Sequence, residues 1–563
     1  MKKLVVASLV LAGIFSINSC ARQGTPSGGP KDVTPPVLIG ATPDTLAVNV
    51  DPNIKTIELK FDEYIQIKEY NKNVVVSPPF SRNPIVSPLT NADKVVKIKL
   101  QEPLQPNTTY SFNFGDAIQD YNENNKLSNF RYVFSTGAYI DSLSVQGKVY
   151  SGYDFELPKK VLVGLYEVND TYNDSVILKS KPYYISRVNE KGEYNLKYLR
   201  PGNYRLVAFE DQLENNQYDF GKEKVAYKNE VINLNANQTQ DLKLFLPKPA
   251  YRLVKSEQKG YGHIVFRTEG ASQPLDVKVV QPELKSGIID VHQKNDSINF
   301  WFNPKVEEFK SRNERLKFAV KHGEKTDTVT VLYTAPTNEY EPLYKTVNES
   351  KLAPSSNFKI ASSAPIKSIN KNLINVFKDT VQIPFDVAID SVDKQIVHFK
   401  FEKDLDEKFE INAYPKAFTD IFDQPNDTLV YQIKTGTRED FGNLRLRINN
   451  LDDSPIILQL IKKEQKFNVI EERVGVMREF YFPNLLPGDY YIRLLVDKNR
   501  NGIWDTGDWL QQIQPEPVYI YPSKITVRAM WDADETWMIG ADSDKFVLPD
   551  EKKQENTNQS NKR

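Results

Sequence analysis

The chain is poor in the residues that usually carry chemistry, because its 563 residues include one cysteine, four histidines and four methionines. A single cysteine excludes an internal disulfide framework and leaves no cysteine pair for a zinc site. The histidines lie in or beside strand patterns, and none has a companion at metal-ligand spacing. We therefore expect structural or surface roles for His263, His292, His322 and His398.

Catalytic motifs are missing as well. The sequence has no Gly-x-Ser-x-Gly elbow, no His-Glu-x-x-His pair and no phosphate-binding loop. Carboxylates are plentiful, so a glycosidase-type pair is the catalytic alternative that inspection leaves open. No larger catalytic domain accompanies these carboxylates, and the sequence predicts a protein that is not an enzyme.

Neither sign of charge is in excess. Lys and Arg number 73 and Asp and Glu number 74, which gives a formal net charge of −1. This balance provides neither the basic surface that nucleic acids require nor a polybasic patch for lipid headgroups, so we expect no nucleic-acid partner. Beyond residue 20, no apolar stretch approaches the roughly 20 residues of a membrane-spanning helix.

Tyr, Phe and Pro are abundant, with 29, 29 and 34 residues respectively. This profile favours β-sheets over helix bundles, and a chain of 563 residues is too long for a single core. Patterns of period two, such as Ile57, Leu59 and Phe61 between charged residues, recur with turn residues about every ten positions. The sequence therefore predicts an all-β protein built from tandem β-sandwich domains.

The amino terminus has the layout of an export signal. Two lysines follow Met1, the apolar run 4–15 comes next, and the run closes with Ile17-Asn18-Ser19-Cys20. This ending resembles the lipobox of bacterial lipoproteins. The resemblance implies a signal peptide over 1–19, acylation of Cys20 with chains such as palmitate, and a lipidated Gly/Pro/Ser tether over 20–35. The alternative is an ordinary secretory signal.

The next segment carries a series of motifs in a fixed order. They are Thr34-Pro35-Pro36, Phe61-Asp62-Glu63, Pro106-Asn107-Thr108-Thr109-Tyr110, Ile118-x-Asp120 and Phe134-Ser135-Thr136-Gly137. Together they resemble the bacterial Ig-like domain first described in S-layer proteins. The resemblance implies an Ig-like sandwich over 36–138 with a spacer or adhesion role. Ala417-Phe418-Thr419-Asp420 and Lys434-Thr435-Gly436 repeat the later motifs, which predicts a second Ig-like domain over 341–437.

A different signature follows the first Ig-like segment. Leu199-x-Pro201-Gly202-Asn203-Tyr204 resembles the prealbumin-like, carboxypeptidase-regulatory type of sandwich, expected over 139–249. The motif recurs 286 positions later as Leu485-x-Pro487-Gly488-Asp489-Tyr490, which predicts a second prealbumin-like sandwich over 438–545. Between the paired units, 250–340 has the pattern of a further strand-rich sandwich. The polar tail 546–563 is expected to be disordered.

The last sandwich contains the sharpest constellation of polar residues, a loop with the pattern Asp-x-Asn-x-Asn-Gly-x-x-Asp-x-x-Asp. Calcium prefers oxygen ligands, and such a loop supplies them. We therefore predict a structural Ca²⁺ site. The alternative is an Asx-rich hairpin loop whose side chains cap turns. The predicted ligands are Asp497, Asn499, Asn501, Asp505, Asp508 and the backbone carbonyl of Ile503. The corresponding loop of the earlier copy has Leu213, Asn216 and Lys222 at the third, sixth and twelfth positions and is expected not to bind.

Four of the five tryptophans also fall in the last sandwich. They either stack on a sugar or a partner, or fill the core and the base of the loop. The residues concerned are Trp504, Trp509, Trp531 and Trp537.

The mature chain opens with Gly28-Gly29-Pro30-Lys31-Asp32-x-Thr34-Pro35-Pro36. This opening resembles that of Bacteroidota lipoproteins and implies an outer-membrane location. Asp-Ser/Thr-aliphatic triplets, which resemble the O-glycan acceptor motif of exported proteins of that phylum, support the same location, although such triplets also lead turns into strands. The periplasmic or cell-surface face stays open. We expect a non-enzymatic scaffold or accessory subunit that binds an outer-membrane protein; the alternative is a calcium-dependent glycan-binding or adhesion lipoprotein.

Overall fold

A computed structural model describes residues 32–540 and 543–545, except 271–274, 287–289, 295, 296, 308, 310, 336, 349, 350 and 464–466. Regular structure in these residues is almost entirely β-sheet, which confirms the predicted all-β class. Within the same ranges, no helix is long and apolar enough to cross a membrane. Cys20, the predicted signal peptide and the predicted tail lie outside the described residues. The helices are single turns at Tyr70–Asn73, Val176–Lys179, Lys371–Leu373, Arg438–Asp440 and Ser543–Lys545.

The chain divides into two compact units. The first unit comprises the residues up to Leu143 together with Tyr183–Ile185 and Lys197–Arg200, and the second unit comprises all other residues. For reference we number the sandwiches in chain order and use the predicted ranges as their names. These are the first domain (36–138), the second (139–249), the third (250–340), the fourth (341–437) and the fifth (438–545).

The first domain is a sandwich of two antiparallel sheets. One sheet has the order β1-β2-β5-β4 with β7 added to β2, and the other has the order β3-β6-β8. Alternate residues of β2, among them Ile57, Leu59 and Phe61, are buried between the sheets, as the period of two requires. The strands are β1 (Leu38–Thr42), β2 (Thr56–Ile67), β3 (Val75–Ser77), β4 (Ile85–Ser87), β5 (Asp93–Lys99), β6 (Thr109–Gly115), β7 (Ile118–Asp120) and β8 (Phe130–Ser135).

The second domain has one sheet of order β11-β10-β13-β14, with β15 also on β13, and another of order β12-β9-β16, with β17 also on β9. Its long central strand β13 is buried on both faces from Tyr204 to Phe209. The strands are β9 (Leu143–Ser151), β10 (Val161–Glu167), β11 (Tyr184–Arg187), β12 (Glu193–Leu199), β13 (Gly202–Glu210), β14 (Val225–Tyr227), β15 (Ile232–Leu234), β16 (Gln238–Thr239) and β17 (Leu242–Leu244).

The third domain packs a sheet of order β18-β19-β22-β21 against one of order β20-β23-β24. Phe266, Phe300 and Phe318 form an edge-to-face aromatic core between the two sheets. The strands are β18 (Arg252–Gly260), β19 (His263–Glu269), β20 (Asp276–Gln281), β21 (Asp290–Lys294), β22 (Ser297–Trp301), β23 (Asn313–His322) and β24 (Lys325–Thr334).

The fourth domain has sheets of order β25-β26-β31-β30 and β29-β28-β32-β34 and a separate pair β27-β33. Its core includes Phe358, Phe399 and Phe418. The strands are β25 (Tyr344–Thr346), β26 (Phe358–Ser362), β27 (Ile366–Ile369), β28 (Ile374–Lys378), β29 (Val381–Gln382), β30 (Asp386–Ile389), β31 (Ile396–Lys400), β32 (Lys408–Ala413), β33 (Phe418–Asp420) and β34 (Leu429–Lys434).

The fifth domain repeats the topology of the second, with sheets of order β37-β36-β39-β40 (β41 also on β39) and β38-β35-β42. In the smaller sheet of each domain, one outer strand runs parallel to the middle strand. These pairs are β16 with β9 and β42 with β35. Strands β38 and β39 lie 286 positions after β12 and β13, the same offset as in the sequence repeat. The strands are β35 (Gly442–Asn449), β36 (Ile456–Lys463), β37 (Phe467–Gly475), β38 (Glu479–Leu485), β39 (Gly488–Val496), β40 (Val518–Ile520), β41 (Ile525–Val527) and β42 (Asp532–Met538).

Candidate functional site

The predicted calcium loop connects β39 to β40 in the fifth domain. Its first acidic residue, Asp497, follows directly on the buried strand and is only 2% exposed. The Asp497 carboxylate accepts the backbone N–H groups of Asn501 and Gly502 at 3.0 and 2.9 Å. Gly502 has φ of +85°, a conformation that glycine adopts at little cost, and it allows the chain to turn back toward Asp497.

The loop brings two amide side chains onto one carboxylate. Nδ2 of Asn499 and Nδ2 of Asn501 both donate to Oδ2 of Asp505, at 2.7 and 2.6 Å. The amide oxygens accept backbone N–H groups instead, those of Asn501 and Ile503. Four of the six predicted ligands are therefore connected, and the two amide groups present nitrogen rather than oxygen to Asp505.

Two predicted ligands take other positions. The carboxylate of Asp508 accepts the N–H groups of Leu510 and Gln511 at 2.8 and 3.1 Å, so it caps the following turn. Ile503 is 59% exposed, and its N–H group donates to Asn501. Among the described residues, no three side chains of His, Cys, Asp or Glu are grouped closely enough to hold a metal ion.

Glu516 is a member of the loop that the sequence pattern did not reveal. One of its oxygens accepts the N–H groups of Lys498 and Asn499 at 2.7 and 3.1 Å, and the other accepts the N–H of Asp505 at 3.0 Å. The available signal was the repeat, because Glu223 stands two residues before β14 as Glu516 stands two residues before β40.

The loop of the second domain uses the same geometry with a different charge balance. Asp211 is fully buried and accepts the N–H groups of Asn215 and Asn216, as Asp497 does with its own loop. The guanidinium of Arg187 lies 3.4 Å from Asp211 and donates to Asn216 at 3.0 Å. Burial lowers the pKa of Arg187, and the nearby Asp211 carboxylate opposes that effect. In the second domain, an arginine therefore neutralises the buried carboxylate.

No such cation accompanies the fifth-domain loop. Throughout the described part of the chain, no Lys, Arg or His side chain lies within 4.0 Å of the carboxylate of Asp497, Asp505 or Glu516. The nearest lysine of the loop, Lys498, pairs with Asp452 instead. In the described part of the chain, the carboxylates of Asp497, Asp505 and Glu516 thus accept only backbone and amide N–H groups of this loop.

The histidines with described side chains have partners other than a metal. Nε2 of His263 lies 2.9 Å from Oδ1 of Asn299, and its ring stacks on Trp301 with 3.8 Å between ring centroids. His322 stacks on Tyr251 at 4.2 Å. Nε2 of His398 lies 2.8 Å from the carboxylate of Asp390. The side chain of His292 lies outside the described residues.

The four tryptophans of the fifth domain divide into three kinds. Trp509 and Trp537 are 1% and 2% exposed. Trp504 is half-buried, with its ring centroid 5.0 Å from that of Tyr153 and its Nε1 donating to the carbonyl of Glu516. Trp531 is 63% exposed, and the Arg528 guanidinium lies 5.6 Å from its ring. Packing and loop support thus account for three of the four rings.

The sheet topology shows a chain of tandem all-β sandwich domains. Residues 32–136 match the model of the bacterial Ig-like domain family, which supports the predicted Ig-like first domain. No curated protein sequence matches the chain significantly.

Several solved structures resemble parts of the chain. The major pilin subunit of Bacillus cereus is 11% identical, with 71% of this chain and 99% of that chain covered and a TM-score of 0.13. A DUF3823 family protein from Parabacteroides merdae is 13% identical, with 35% and 100% covered and a TM-score of 0.13. Domains 1–6 of the surface layer protein SbsC are 9% identical, with 84% and 65% covered and a TM-score of 0.14.

Proposed function

We propose that this protein is a non-enzymatic lipoprotein of the cell envelope, anchored in the outer membrane through acylated Cys20, and that it serves as a scaffold or accessory subunit for an outer-membrane protein. The observation that carries the proposal is how the polar side chains of the predicted calcium loop are used. The side chains of loop 497–508 cap backbone N–H groups rather than converge on an open site. We take this capped loop to be part of a surface for a protein partner rather than a catalytic centre.

Two further features support this role. The first domain matches an Ig-like family, and Ig-like sandwiches host many unrelated functions, so activity has to be argued from a site rather than from the fold. Cys20 is the only cysteine of the chain, and it stands where a lipobox would place it. Two acyl chains on this residue would hold the protein stably at a membrane.

The test is a pull-down of the lipidated protein from mild detergent, with captured proteins identified by mass spectrometry. A Cys20→Ser variant serves as the unlipidated control, and membrane fractionation of the two forms measures the anchor. Stoichiometric capture of an outer-membrane protein, insensitive to added sugars, is the expected result. Recovery of the protein alone would contradict a stable accessory-subunit role.

A glycan-binding role is the second candidate, and the exposed ring of Trp531 favours it. Exposed aromatic rings with a polar neighbour can stack on sugars, and Arg528 supplies that neighbour. Retention on polysaccharide that is lost in Trp531→Ala would support this role. Met538→Ala is the matched control, because Met538 is an exposed side chain (62%) of the same domain that has no aromatic ring. Equal retention of the two variants would contradict sugar stacking on Trp531.

We also propose that loop 497–508 binds a structural Ca²⁺ ion. Among the described residues, the buried Asp497 has no cationic partner of the kind that Arg187 provides for Asp211, so an ion would balance the fifth-domain loop. Asp497 and Asp505 would supply carboxylate oxygens. The amide groups of Asn499 and Asn501 would have to rotate to present oxygen, because their nitrogens now face Asp505. Isothermal titration with Ca²⁺ tests the proposal, and absence of binding at millimolar Ca²⁺ would contradict it.

A further inference from the structure

The central strands of the larger sheet of the fifth domain, β36 and β39, are buried on both of their faces. Residues of β36 and β39 that point into the sandwich, such as Leu458 and Ile492, are fully buried in its core. Their neighbours Ile461 and Leu495, which point to the opposite face, are 0% and 3% exposed. A sheet buried on both sides must be covered on both sides, so something outside the fifth-domain sandwich covers this outer face.

The cover is a loop of the second domain, between β9 and β10. Phe155 of this loop is 1% exposed, stacks on Phe467 with 4.5 Å between ring centroids, and meets Tyr491 edge-on at 5.9 Å. Its apolar cluster consists otherwise of fifth-domain residues. Tyr153 likewise packs in a cluster with Ile457 and other fifth-domain residues. These two rings thus pack on the other domain rather than on the core of their own.

A buried arginine of the fifth domain holds the same loop. Arg493 is 6% exposed, and its guanidinium carbon lies 3.7 Å from the centroid of the Tyr153 ring. Nη1 donates to the Tyr153 carbonyl at 3.1 Å, and Nε donates to Oε1 of Gln459 at 2.8 Å. A desolvated cation–π contact with a backbone hydrogen bond fixes both the position and the orientation of the loop.

The fifth domain reaches back to the second with its own loop, 497–517. This loop has 21 residues, whereas the corresponding loop 211–224 of the second domain has 14. The ring of Trp509 meets Tyr227 edge-on at 4.6 Å, and Nε2 of Gln514 donates to the Tyr227 carbonyl at 3.1 Å. The Thr506 hydroxyl donates to the Leu246 carbonyl at 2.6 Å. The residues that lengthen the loop therefore include those that make this second contact.

We propose that the second and fifth domains bind one another through the loops 152–160 and 497–517, and that they stay together without the covalent chain between them. We call this pair of contacts the clamp. Each domain packs an aromatic side chain of one of its loops against the other domain, Phe155 in one direction and Trp509 in the other. The third and fourth domains then form an insertion between the halves of the clamp. This inference concerns the internal architecture of the chain and is independent of the proposed outer-membrane role.

The test uses the full chain with a protease site inserted after Ala250, an exposed residue at the start of the third domain. Cleavage breaks the covalent connection between the second and the fifth domain. The expected result is that both fragments elute together in size-exclusion chromatography at micromolar concentration. Separation of the fragments, with each retaining its β-sheet circular dichroism, would overturn the proposal, because the contact would then depend on the covalent connection.

Phe155→Ala tests whether the described contacts hold the clamp. Removing a buried phenylalanine ring is expected to weaken association of the cleaved fragments about 100-fold or more. Leu213→Ala, which removes an apolar side chain that is 65% exposed in the same domain, is the matched control. On the other half, Trp509→Ala is compared with Trp531→Ala in the same way. Equal association of test and control variants in both pairs would overturn the proposal.

Discussion

Replacing Asp505 with Asn, alongside the same change at Asp219, distinguishes a calcium site from an Asx-rich loop. The two residues occupy the same position in the repeated loops. Oδ2 of Asp505 accepts the amide groups of Asn499 and Asn501, and Oδ2 of Asp219 accepts that of Asn215 at 3.1 Å. Without calcium, each substitution removes hydrogen bonds of partly exposed groups, and we expect both to cost about 0.5–1.5 kcal/mol.

Calcium should separate the two variants. A site with a dissociation constant of about 0.1–1 mM, typical of extracellular calcium modules, would stabilise the folded protein by about 1–2 kcal/mol in about 5 mM Ca²⁺. At about 2–4 °C per kcal/mol, the unfolding midpoint of the wild-type protein and of Asp219→Asn should rise by about 2–8 °C. Loss of one carboxylate ligand, taken as an affinity about tenfold lower, would reduce the gain in Asp505→Asn to about 0.2–1 kcal/mol.

Tryptophan fluorescence is the appropriate readout for this experiment. Four of the five tryptophans lie in the fifth domain, so the signal reports mainly on the domain that carries the loop. Thermal unfolding is followed in Ca²⁺ and in EDTA for the wild type and both variants. Equal midpoints of the wild-type protein in Ca²⁺ and EDTA would refute the calcium site. Equal responses of Asp505→Asn and Asp219→Asn would show that calcium binds elsewhere.

Three further predictions concern the stability of individual domains. Asp120→Asn should destabilise the first domain by about 1–3 kcal/mol, because both carboxylate oxygens accept backbone N–H groups. Asp420→Asn should be nearly neutral in urea unfolding, because Oδ1 accepts both backbone N–H groups, so an amide nitrogen in the place of Oδ2 meets no backbone donor. Burial acts to raise the pKa of Asp120, but backbone N–H donors outweigh it and leave that pKa below its ordinary value, whereas burial raises the pKa of Asp420. Urea midpoints should therefore show the first domain losing stability as the pH falls from the ordinary aspartate pKa through the folded pKa of Asp120. The fourth domain should gain stability as the pH falls through the raised folded pKa of Asp420 toward the ordinary value, and parallel behaviour of the two domains would contradict this assignment. The double change Glu471→Val and Arg473→Val should cause aggregation visible by light scattering, because it removes an ion pair (2.7 Å) from the edge strand β37. These two residues pair with the core residues Leu460 and Leu458 of β36. Asn468→Val, on the same strand, is the control.

Local sequence patterns predicted the fold class because strand alternation is a short-range property. Leu444, Leu446 and Ile448 are buried in β35 while Arg445 between them is exposed, as a period of two requires. The loop motif was visible for the same reason, since Asp497, Asn499 and Asn501 are close in the sequence. Its alternative as a network of capping side chains was visible too, and the structure displays that network.

Long-range relations were beyond the reach of such patterns. Glu516 lies 19 positions after Asp497 and enters the loop only because β40 returns beside β39. Arg187 neutralises Asp211 from a different strand, and no spacing rule connects them. The burial of Trp509 and Trp504 depends on Tyr227 and Tyr153, which belong to a domain more than two hundred positions earlier in the chain. Composition could not choose between sugar stacking and packing for rings whose neighbours come from so far away.

The repeated domains differ in the loop that follows their long central strand. In the second domain, the loop after the long central strand is short and closed by its own arginine, so its charges are balanced within the domain. In the fifth domain, the same loop keeps the buried aspartate, lacks a described cationic partner and is seven residues longer. The calcium ion that we propose would balance its charge, and its additional residues contact the second domain. If both hold, removing calcium should loosen the contact of Trp509 with Tyr227, so the calcium site and the clamp would be coupled through a single loop.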